Sequence, residues 1–182
     1  MFKELNTLEL FFENPTREYN VREVARLLKI TPATASKQLK RFAEKKILHY
    51  KKERTYDLYK SNIDNTEYRD LKVYYTIRKI RNTGIIEELN KYYYKPTIIL
   101  YGSMSTGYDV ENSDVDLIIV SERKKEFEKQ RVYEKKLKKK IQLFIVNDLN
   151  ELKNEYLINN VLNGIVLQGE IQWTWKNAKR KE

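Results

Sequence analysis

Cysteine is absent from the 182 residues, which excludes disulfides and thiolate metal sites. The one histidine, His49, cannot build a zinc cluster or point to a triad. Its place in a basic segment fits a surface role or a phosphate contact. No stretch of about 18 apolar residues occurs, so no membrane-spanning helix is expected. The start, Met1-Phe2-Lys3-Glu4, is charged where a signal peptide would be apolar. Internal repeats and low-complexity segments are also missing. These absences leave a soluble cytoplasmic protein without a membrane partner as the expectation. The three prolines each stand at a break: Pro15 and Pro96 after helical spacing ends, Pro32 where it begins.

What is present is apolar and basic. Hydrophobic residues make up 41%, enough for a core, and the length suits one large domain or two small ones. The net charge is +10 and the pI about 9.5. That charge is concentrated: residues 29–60 hold ten Lys/Arg against three acids, and residues 123–140 hold the same. Two such blocks point to a polyanionic partner.

Apolar spacing predicts a helix over residues 2–13, ended by Asn14-Pro15. Asn20 is placed to cap a second helix, with Glu23 completing a capping box. Thr31-Pro32 starts a third, which buries Ala35, Leu39 and Phe42 and presents Ala33, Thr34, Ser36, Lys37, Lys40 and Arg41. A small, hydroxylic, basic helix face suits the major groove of DNA. Residues 49–59 read as a hairpin with a basic tip at Lys51, Lys52 and Arg54. Helix, helix, basic helix, hairpin over roughly residues 3–60 resembles the winged helix-turn-helix of bacterial and archaeal regulators. The resemblance implies double-stranded DNA as partner, and dimerisation is common in such regulators; protein docking is the competing use of that fold.

Residues 63–95 read as linking helices. Tyr74, Tyr75, Tyr92, Tyr93 and Tyr94 fit a packed helix–sheet seam better than base stacking. Residues 122–140 read as a charged helical segment, whose lysines suit a solvated face or polyanion binding equally. Asp148 is placed to cap a helix to about Asn163 with Leu149, Leu152, Tyr156, Leu157 and Val161 inside, and Gly164 ends it. Trp173 and Trp175 alternate like strand residues, ahead of a polar tail over residues 176–182.

The stretch from Tyr101 to Asp116 carries the chemistry. An apolar run, Thr97 to Tyr101, leads into Gly102-Ser103, and another, Val115 to Val120, leads out. Asp114 and Asp116 are two residues apart, so on extended backbone they share a face. Like charges there repel, and a divalent cation with hard oxygen ligands resolves the conflict. Gly102 lets backbone approach a phosphate, and Ser103 to Ser105 offer hydroxyls and N–H groups. Asp109 and Glu111 read as solvated turn residues.

Gly-Ser, ten residues and Asp-x-Asp between two strands resembles the polymerase-beta-type nucleotidyltransferases, in particular the minimal branch, over about residues 84–170. The resemblance implies an α+β protein of two domains, with a short mixed sheet flanked by helices in the second. The expected division is 1–62, 63–95 and 96–175, then the tail. It implies Mg²⁺ or Mn²⁺ at Asp114 and Asp116, an NTP at Gly102, Ser103 and Ser105, and transfer of a nucleotidyl group to a protein, a small molecule or a nucleic-acid end. Some minimal nucleotidyltransferases are antitoxins that modify a helical partner. Three positions depart from the pattern. Gln142 stands where a third carboxylate is usual, leaving at most a weak third ligand, and Met104 and Thr106 stand where arginines are frequent. Two functions stay open: a nucleotidyltransferase carrying a DNA-binding domain, or a transcriptional regulator whose transferase-like domain senses nucleotide or mediates assembly.

Overall fold

A computed structural model describes residues 2–171, with side chains from Leu5 onward. The expectations for Trp173, Trp175 and the tail lie outside the described residues. The chain forms an α+β protein of two compact units. One comprises the residues up to Lys79 together with Thr106–Ser113; the other comprises Ile80–Ser105 and the chain from Asp114 onward. No helix among the described residues is long and apolar enough to cross a membrane.

The first unit begins with α1 (Phe2–Glu13), a two-residue strand β1 (Tyr19–Asn20), α2 (Val21–Leu28) and α3 (Pro32–Glu44). Asn20 accepts from the Glu23 backbone N–H and Thr31 from that of Thr34, so both predicted caps form. The capping box does not close, because the Glu23 carboxylate pairs with Arg17 instead. Next come β2 (Leu48–Glu53) and β3 (Tyr56–Ser61), giving an antiparallel sheet of order β1-β3-β2. Ala35, Leu39 and Phe42 of α3 join Leu8, Phe11, Val24, Tyr59 and Tyr68 in one core. Each fully buried large side chain of that kind contributes about 1.5–3 kcal/mol. Ser61 and Tyr68 hydroxyls both donate to the Phe11 carbonyl at 3.0 Å, satisfying polar groups inside it.

Helix α4 (Thr66–Asn82) carries the surface on which residues 106–113 pack. Gly107, at φ 77°, lies so close to Arg69 that a Cβ would meet its carbonyl oxygen at 2.8 Å. Arg69 stacks on the Tyr108 ring at 4.7 Å. Asp109 is 3% exposed, and its carboxylate lies 3.2 Å from the ammonium of Lys72, itself 1% exposed. Glu111 accepts from the N–H and hydroxyl of Thr16 at 2.9 and 2.8 Å. Burial raises the Glu111 pKa, but the hydrogen bonds from Thr16 and from its own backbone N–H, with the Lys72 charge, together hold it below the usual carboxylate range. The expectation of two solvated turn residues is therefore corrected: the turn is anchored at both acids.

In the second unit, α5 (Ile85–Tyr92) precedes β4 (Thr97–Tyr101), the short α6 (Ser103–Thr106) and β5 (Val115–Val120). Then follow α7 (Gln130–Leu137), β6 (Ile141–Val146), α8 (Glu155–Leu162) and β7 (Ile165–Gln168). The mixed sheet has order β6-β5-β4-β7, with β5 and β6 parallel and the other pairs antiparallel. One face buries Ile99, Tyr101, Ile118 and Val146 against Leu149 and Val161.

Two helical expectations shorten here. Residues 122–128 are irregular because Tyr92 and Tyr93 hydroxyls take the Glu126 and Lys125 carbonyls at 2.7 Å and Phe127 is buried. Asp148 accepts from Asn150 and closes only a single 3-10 turn, Leu149–Glu151; a second cap, Asn154, starts α8. The break rotates Tyr156 outward, to 78% exposure, and not inward as the unbroken spacing predicts. Among the tyrosines, Tyr93 is buried at the seam whereas Tyr74 and Tyr94 are exposed.

Candidate functional site

Gly102 ends β4 at φ 74°, a left-handed backbone that favours glycine. A Cβ there would stand 2.7 Å from an Asp116 carboxylate oxygen, so the missing side chain is what lets Asp116 lie against the loop. Gly102→Ala is expected to cost at least about 1 kcal/mol from the backbone and to displace that carboxylate. A thermal melt would show the first effect and weakened Mn²⁺-dependent nucleotide binding the second.

Strand pairing sets Asp116 opposite Tyr101 on one side and Gln142 on the other. The Gln142 amide nitrogen donates to Asp114 Oδ2 at 2.8 Å. Asp114, Asp116 and Gln142 thus converge, with Asp114 just ahead of β5 and both carboxylates half-buried. Burial and, secondarily, the Asp114 charge raise the Asp116 pKa above the ordinary carboxylate value. Burial likewise pushes Tyr101 up to about 12, and the Asp116 charge adds to the effect.

Two repelling carboxylates form a hard oxygen pair that suits Mg²⁺ or Mn²⁺, because a cation relieves both the repulsion and the desolvation. The donor set ends there: no group of three or more His, Asp or Glu positioned for a metal occurs among the described residues. Glu170 does not complete it. Its carbonyl accepts from Thr97, the residue paired with Val120 at the other end of the sheet. Ser103 opens α6 beside Gly102. The Ser105 hydroxyl donates to the Gly102 carbonyl at 2.8 Å, which turns its proton into the loop.

In the first unit, Thr34, Lys37, Lys40 and Arg41 are exposed on α3, and Ser36 is half-buried. Lys51, Lys52 and Arg54 are exposed on the hairpin, where Arg54 turns the tip at φ 54° and Lys51 meets Glu53 at 3.0 Å. The anchors Lys72 and Asp109 were not legible as a pair, since 37 residues separate them and each alone is an ordinary charged residue.

Residues 83–170 match the family model described as "Polymerase beta, Nucleotidyltransferase". A solved structure described as a possible transcriptional regulator from Methanosarcina mazei Go1 is similar at 21% identity over 50% of this chain and 78% of that one, with a TM-score of 0.36. No curated protein matches.

Proposed function

We propose that the second unit binds an NTP with Mg²⁺ or Mn²⁺ and transfers its nucleotidyl group to an acceptor. The carrying observation is the convergence of Asp114 and Asp116 beneath Gly102, within the segment that matches the nucleotidyltransferase model. Asp114 and Asp116 would hold the cation, and Gly102 and Ser103 would lie along the triphosphate. When bound, the cation supplies neutralisation of phosphate charge. An acceptor oxygen bonds to the α-phosphorus as the bond to the pyrophosphate oxygen breaks, leaving a nucleotidylated acceptor and pyrophosphate.

Gln142 orients Asp114 through its amide and cannot take the acceptor's proton, so that proton goes to solvent. The same observation favours a second function, a regulator in which this unit senses nucleotide without turnover. Incubation with each labelled NTP, Mg²⁺ or Mn²⁺, and protein, small-molecule or nucleic-acid acceptors tests both. Label transfer supports the enzyme. Metal-dependent NTP binding without transfer supports the sensor, and absence of both sinks the two together.

The first unit, in this proposal, binds duplex DNA as a winged helix-turn-helix, and a homodimer would set two α3 helices in successive major grooves. Its support is the order α1, β1, α2, α3, β2, β3 with a basic exposed face on α3 and a basic hairpin. Alanine at Lys37, Lys40 and Arg41 together is expected to weaken duplex binding at least about tenfold and to lower the salt slope by up to about three. Unchanged affinity in an anisotropy titration would remove DNA binding from the proposal.

A further inference from the structure

The carboxyl ends of the parallel strands β5 and β6 open onto a cleft of about 500 Å³, bounded by Tyr94, Lys95, Ser121, Glu122, Arg123 and Asn147. It lies at the end of the sheet away from Asp116, since Thr97 pairs with Val120 whereas Tyr101 pairs with Asp116. The Arg123 guanidinium carbon stands 4.3 Å from the centre of the Tyr92 ring and 5.2 Å from that of Tyr94. One of its N–H groups donates to the Tyr92 carbonyl at 2.8 Å, and no carboxylate pairs with it among the described residues. Most of its five donors are therefore left for an anion.

Tyr94 is 76% exposed, with the Arg123 guanidinium over its ring. Its backbone is left-handed at φ 55°, and Lys95 follows at φ 60°. The Lys95 N–H bonds the Asn90 carbonyl at 3.0 Å, a helix ending in which glycine ordinarily takes the left-handed place. Here a tyrosine takes it, and a second left-handed residue stands before Pro96, where proline disfavours helical backbone. Sparsely populated backbone at a cleft is a mark of ligand sites. The result is an exposed aromatic face beside two cations in a concave setting, with the exposed Glu122 on the same rim.

We propose that this cleft binds a nucleotide unit, with its base stacked on Tyr94 and its phosphate held by Arg123 and Lys95. A tyrosine face accepts any base, and the guanidinium adds a cation–π component and a fork for phosphate oxygens. That chemistry is common to a free nucleoside phosphate and to one residue of a single strand. The site is separate from the Asp114–Asp116 pair and needs no metal.

Anisotropy titrations of the full chain in EDTA, with labelled ATP and with a labelled short oligodeoxyadenylate, test it. EDTA silences the carboxylate pair, and a Lys37/Lys40/Arg41 alanine background silences the basic face of α3. Saturable binding of at least one probe is expected, with Arg123→Gln and Tyr94→Gly each weakening it about tenfold or more. Tyr94→Gly relieves the left-handed backbone, so its thermal midpoint should equal or exceed the parent's, which separates loss of ligand from loss of fold. Binding of ATP, with or without the oligonucleotide, identifies a free nucleotide as an occupant, and binding of the oligonucleotide alone identifies a single strand. The proposal is overturned if neither probe binds, or if either variant binds as tightly as the parent.

Discussion

Lys72→Met should destabilise the first unit by about 3–5 kcal/mol, the cost of removing one member of a buried ion pair. Lys72 is 1% exposed and Asp109 3%. The ammonium lies 3.2 Å from the carboxylate and also donates to the Asp109 carbonyl. Removing the ammonium takes the opposite charge away from a carboxylate in a medium that solvates it poorly, and it withdraws a donor from a buried carbonyl. Methionine roughly preserves the stem's volume, so the loss reports charge more than packing. Adding Asp109→Asn to Lys72→Met should recover part of the loss, because no buried charge then remains. Denaturant titrations of the parent, the single and the double variant measure this; a single variant within about 0.5 kcal/mol of the parent would show that the pair does not hold this turn.

The Asp114→Asn/Asp116→Asn variant should lose metal-dependent NTP binding and label transfer by about 100-fold or more, since even supporting groups around a metal are worth 10–100-fold. It should also fold at least as stably as the parent without metal. Burial and the Asp114 charge raise the folded pKa of Asp116, so ionising it opposes folding. That opposition is absent below the unfolded pKa of about 4 and is complete above the raised folded value. In metal-free buffer, therefore, the variant's advantage in thermal midpoint should be present at pH 7 and vanish below about pH 3. Excess Mg²⁺ should reverse the order at pH 7 by stabilising the parent alone. A variant that lost both stability and binding at pH 7 would mark the two aspartates as structural.

Both results turn on carboxylates, and the sequence treats them differently. Asp114 and Asp116 were legible because two like charges at a spacing of two, opening an apolar run, conflict with every rule of strand packing. Gln142 was singled out through the family resemblance, which expects a third carboxylate at that place; the strand register sets it opposite Asp116, and its amide reaches Asp114. The caps at Asn20 and Thr31 and the buried stripe of α3 are local, since each is settled by residues within one or two turns. The break at Leu152–Lys153 was not legible, because apolar spacing continues through it and only a second capping residue, Asn154, interrupts the helix.

What the sequence determined by itself is the set of short-range outcomes: most of the helices and strands, and the two carboxylates that follow Gly102-Ser103 at the head of an apolar strand; the mixed sheet came from the family resemblance. The short-range outcomes depend on side-chain period and backbone sterics, which act over a few residues. What only the tertiary structure decided is which charges leave water. Asp109 and Glu111 have the composition of an exposed turn, yet one is buried on Lys72 and the other held by Thr16. Tyr92, Tyr93 and Tyr94 are consecutive and chemically alike, yet one is buried and another is held out beside Arg123. Desolvation depends on the atoms brought close from distant parts of the chain, and no local pattern records them.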